Sequence, residues 1–123
     1  MNEEAKKVLL ENILPQMTCE LLLHLNFFNR VIMDDKQSSE LVGRAKDLLA
    51  SNHMALIMLT ELAGLLGGEA TVDQMMESVV DLFCVKDKEE RQRMKELISG
   101  YTVRPIEKEK TLSMKIKPQS IKS

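Results

Sequence analysis

The side chains with the richest chemistry in this chain are Cys19, His24, His53 and Cys84. None forms a C-x-x-C or H-x₃-H pair. Cys19 and His24, five residues apart, fall well round a helix from each other rather than on one face. That spacing predicts structural or solvated residues, with no metal site and no cofactor. Nucleophilic catalysis requires a base beside a Ser or Cys, itself held by a third group. His24 lies in a crowded apolar stretch and His53 directly follows Asn52, neither near a nucleophile elbow. The expectation is a protein that is not an enzyme.

Carboxylates offer one ordered row. Asp73, Glu77 and Asp81 recur at i, i+4 and i+8, on one face of a helix. Such rows bind divalent metal in helical proteins when other helices supply matching acids, but no E-x-x-E or E-x-x-H row faces this one. A solvated face is expected. Its like charges repel by a few tenths of a kcal/mol per pair, which a Lys or Arg from a partner could relieve.

Phosphate binding finds no G-x-G-x-x-G, and Gly64, Gly67 and Gly68 close a helix rather than join a strand to one. Nucleic acid is disfavoured. Up to Gly100 eleven basic residues face seventeen acidic ones, a net −6, and stacking aromatics are scarce, with three Phe, one Tyr and no Trp. From Tyr101 onward six bases face two acids, so a +4 tail follows an acidic body. That tail suits self-docking or an acidic partner, touches phosphates only weakly, or is simply solvated.

Three features point towards binding. Asn52 interrupts an apolar seam, where a polar residue either fixes register or oligomeric state, or is hydrogen-bonded in the core or at its rim. Met33, Met54, Met58, Met75 and Met76 suit a surface that adapts to a partner, and equally suit core filling. Leu112, Met114 and Ile116 alternate with Ser113, Lys115 and Lys117 before Pro118, the period-two pattern of a half-buried strand. That segment could hairpin with residues 101–106, add to a partner's sheet, pair with its copy in a dimer, stay extended in a groove, or be a disordered tail whose alternation is chance.

The elements that must position these residues are helices. The chain is organised around residues 39–66, where Leu41, Ala45, Leu48, Asn52, Ala55, Leu59, Leu62 and Leu66 alternate at spacings of four and three. Val42, Leu49, Leu56 and Ala63 run beside them as a second row. Met54, Ile57, Met58 and Leu65 make the second half apolar nearly all round, so it must run into a core with neighbours on both sides. Ser38 or Ser39 suits its N-cap and Gly67-Gly68 its end.

Residues 3–14 read as a short helix with Val8, Leu9, Ile13 and Leu10 inward. Pro15 ends it, starts the next helix or kinks one longer helix; a break is the preferred reading. Residues 16–33 follow with a core stripe of Met17, Leu21, Leu25, Phe28 and Ile32, while Leu22, Leu23, Phe27 and Met33 lie off it and ask for further cover. Thr71 with Gln74 spells a capping box for a helix over 72–84. Asp87 with Glu90 does the same for a mostly charged surface helix over 88–99, closed by Gly100.

With 123 residues, 44% hydrophobic and 29% charged, one globular domain follows. The expected fold is all-α, a compact bundle of four to five helices around the helix at about 39–66, with an extended tail at 101–123 that forms a strand if it finds an edge. The acidic start lacks a signal-peptide pattern, no run of 18 apolar residues suggests a membrane span, and two cysteines without framework spacing suit a reducing cytoplasm. The functional expectation is a small adaptor, chaperone or inhibitor that binds another protein, itself a homodimer. Its contact residues are expected among Leu23, Phe27, Asn52, Met54, Met58, Leu112, Met114 and Ile116. The alternative is a nucleic-acid-associated regulator with a dimeric body and basic tails.

Overall fold

The computed structural model describes residues 1–102, and the tail residues Leu112, Met114 and Ile116 lie outside them. The order is α1 (Glu3–Val8), a π-helical turn (Leu9–Ile13), α2 (Leu14–Met33), α3 (Ser39–Leu65), α4 (Glu69–Leu82) and α5 (Lys88–Tyr101). Every regular element among the described residues is helical, so the fold is all-α.

The frame is the antiparallel hairpin of α2 and α3. Asp34 opens its turn, its carboxylate accepting from the Lys36 backbone and the Gln37 side chain, each at 3.0 Å. Ser38 then caps α3, its Oγ accepting from the Leu41 N–H at 3.1 Å. The antiparallel sense shows in the pairing of His24 with Asn52 and in the shared core of Leu14 with Ala63. Across the apolar end, α4 and α5 complete a cluster of Leu10, Leu14, Ala63, Met75, Met76, Val79 and Ile98. A second cluster, Leu25, Leu49 and Leu56, with Phe28, Ile32 and Tyr101 against it, holds the middle of the hairpin.

The chain does not break at Pro15. Glu3 to Met33 is one continuous helical run, with Pro15 buried inside it. A proline removes a donor and its ring presses on the carbonyl four residues back. Here the preceding turn widens into a π-helix, and the Leu14 N–H donates to Leu9 O. The wider turn also rotates the first helix: Leu10 is fully buried, whereas Val8 and Ile13 face solvent. On α2 the buried row is Leu14, Thr18 and Leu25, and Met17 is exposed rather than part of the core.

On α3 the second apolar row is the inner one. Leu49, Leu56 and Ala63 are buried together with Ala45, His53 and Ile57, while Leu41, Leu48 and Leu62 stay exposed. Thr71 is not an N-cap. The helix starts at Glu69, after Gly68 at φ +78°, a left-handed value that favours glycine. Thr71 lies within α4, where its hydroxyl proton is shared between Ala63 O at 2.6 Å and Gly68 O at 2.9 Å. It thereby satisfies a carbonyl at the end of α3. Gln74 does not reach back; its amide donates to Glu11 at 2.8 Å. Asp87 does cap α5, accepting from the Glu90 N–H at 3.1 Å, and α5 runs past Gly100 to Tyr101.

Candidate functional site

Three places hold groups capable of chemistry. The first is the acidic row of α4. Arg91 and Lys95, one turn apart on α5, interleave with it. Arg91 donates to Glu77 at 2.6 Å and pairs with Asp81 at 2.9 Å; Lys95 pairs with Asp73 at 2.7 Å and Glu77 at 2.5 Å. The row is thus the seam of an α4–α5 ion network, not a bare solvated face. Hydrogen bonds from Lys95 and then Arg91 hold the Glu77 carboxyl below the usual carboxylate range. Hydrogen bonds to Asp73 and then Glu77 push Lys95 above its ordinary value, so its amine is fully protonated near neutrality and unfit as a base. The signal was present in sequence as two rows of opposite sign, each at i, i+4.

The second is an open cleft of about 500 Å³ between the end of α3, α4 and α5, lined by Gly64, Gly68, Val72, Asp73, Lys95 and Ser99. Its one strong charge pair is the Lys95–Asp73 bridge just described. Among the described residues no group of three or more His, Cys, Asp or Glu is arranged to hold a metal ion. Elsewhere, burial raises the Cys19 thiol, whose Sγ lies 3.8 Å from Val79 O. Burial also lowers His53, against a smaller opposing pull from the Tyr101 backbone. Both groups are neutral members of the core.

The third place is the outer side of α3. Leu41, Leu48, Ala55 and Leu62 repeat every seven residues, and Arg44, Ser51, Met58 and Leu65 form the adjoining row. Interleaved, they make one three–four strip from Leu41 to Leu65, about 36 Å long at 1.5 Å per residue. Met58 is 62% and Leu65 82% exposed. His53 and Tyr101, whose rings meet edge to face at 6.3 Å, occupy the opposite side of α3. By length and composition α3 could cross a membrane, a test that the absence of an uninterrupted apolar run did not anticipate, and a third of its most apolar window is buried inside the protein.

The expected contact residues divide accordingly. Met54 and Met58, one turn apart, share the exposed side of α3. Asn52 marks the rim between the strip and α2. Its Nδ2 donates to Leu48 O at 2.7 Å, which leaves Oδ1 to accept from His24 Nδ1 at 3.3 Å. Leu23 and Phe27 lie a turn apart on the outer side of α2 and are both exposed, with Phe27 edge-on to Phe28 at 5.7 Å. The sequence reading missed Leu65, Leu62 and Leu48 as surface residues, because two adjacent apolar rows on one helix do not reveal which faces in.

Compared with known protein families, with curated proteins and with solved structures, the chain matches none.

Proposed function

We propose that this protein is a non-enzymatic interaction module of the cytoplasm that binds another protein through the outer face of α3. The observation that carries this reading is the bare strip itself. Leu41, Leu48, Met58, Leu62 and Leu65 are all large, apolar and exposed along a strip that also carries Arg44, Ser51 and Ala55, although the same helix buries Leu49, Leu56 and Ala63 against its own core. Monomers rarely leave so many large apolar side chains uncovered on one face. Methionine at Met54 and Met58 adds a side chain that adapts to the shape laid against it. The competing nucleic-acid reading rests on the basic tail alone, against an acidic body.

A photo-crosslinking amino acid placed at Met58 in the full chain tests this in producing cells, with Glu89 on α5 as control. Protein adducts from Met58 and not from Glu89 are expected. No adduct from Met58, or equal adducts from both, contradicts the reading, and adducts to nucleic acid support the alternative.

A further inference from the structure

Resting on that reading of α3 as a contact surface, we propose that its occupant is a second copy of this chain, with the two α3 helices antiparallel and related by a two-fold axis that crosses the strip between Ser51 and Ala55. The argument is self-complementarity. In an isologous pair, residue i meets j and j meets i. Setting Leu41 against Leu65 of the copy places Leu48 against Met58, Ser51 against Ala55 and Leu62 against Arg44. The ends of the strip match large with large, and the most exposed large apolar side chain, Leu65, meets Leu41. At the axis the facing residues are Ser51 and Ala55, small enough for the two backbones to approach closely. The one mismatch, Arg44 on Leu62, lays an aliphatic stem on an apolar neighbour and leaves the guanidinium at the rim.

The size of the strip agrees. Stable dimers bury about 800 Å² per partner, so a strip about 36 Å long must be widened by Met54 and the residues along its rim to reach that class. Other occupants fit less well. Glu40 and Asp47 border the strip, whereas a helix lying on a membrane surface carries Lys and Arg at that boundary.

The test is cysteine cross-linking of the full chain under mild oxidation, with exposed Cys84 first replaced by Ser. Leu41 and Leu65 stand about 36 Å apart on one helix, so the single variants Leu41→Cys and Leu65→Cys keep their thiols apart in the antiparallel pair. The double variant Leu41→Cys/Leu65→Cys brings each thiol to the copy's other one. A covalent dimer from the double variant, at least tenfold above either single variant, is the expected result. Dimers from the single variants mean a parallel pair and overturn the proposal, as does the absence of dimer from all three. If dimers are absent while Met58 still gives adducts to a different protein, the second copy is overturned and the interaction reading stands. If Met58 gives no adduct either, both fall.

Discussion

Cys84 is the one described non-glycine residue with positive φ, at 60°. It ends α4 in the position where helices prefer glycine: its N–H donates to Asp81 O at 2.9 Å, and the Val85 N–H reaches back to Val80 O at 3.4 Å. A side chain there costs about 1 kcal/mol, so Cys84→Gly should raise stability by about that amount in urea unfolding. Gly68 is the reverse case. At φ +78° and ψ −151°, a region populated almost only by glycine, and with no neighbour crowding it, Gly68→Ala should cost about 1–3 kcal/mol through backbone strain alone. His53 supplies a pH dependence. Burial depresses its folded-state value below the ordinary one near 6.5. The unfolded chain therefore takes up a proton first, and stability present above about pH 6.5 is lost as pH falls towards the folded-state value. His53→Gln should flatten that slope between pH 7 and 5, as read from urea midpoints at each pH.

The helices were legible where periodicity alone decides. The long central helix, the body of α2 and the Ser38 and Asp87 caps all follow from apolar spacing and capping chemistry. Two devices were not. Pro15 reads as a stop because local rules penalise it, yet the π turn at Leu9–Ile13 lets the run continue, and only packing of Leu10 and Leu14 against α4 makes that turn worthwhile. Thr71 reads as a cap, but its hydroxyl serves the end of α3 eight residues earlier, a tertiary contact that a local motif cannot show. The α4–α5 ion network is also tertiary, and its worth is bounded by solvent: Glu77 is partly exposed. Lys95→Met should lower stability by no more than about 1 kcal/mol, with the difference shrinking between 0.05 M and about 0.5 M salt.

The molecule as a whole spends its apolar surface unevenly. One row of α3 and the inner faces of α2 and α4 close the core, while a second row along α3 remains on the outside. The sequence showed that surplus but not its location, since the choice of inner row depends on how α2, α4 and α5 pack against α3. Covering a half-exposed Leu or Met stabilises by about 1 kcal/mol, whereas association costs on the order of 4–15 kcal/mol. The strip therefore works only as a set, and a charge at two of its positions should abolish binding without touching the core. The most direct measurement is molar mass by light scattering across a concentration series, for the native chain and for Leu48→Glu/Met58→Glu, with helicity checked by circular dichroism. The expected result is twice the chain mass of 14.0 kDa for the native protein and 14.0 kDa for the variant, with unchanged helicity. A native protein at 14.0 kDa throughout, or a variant that keeps the doubled mass, would contradict self-association through this face.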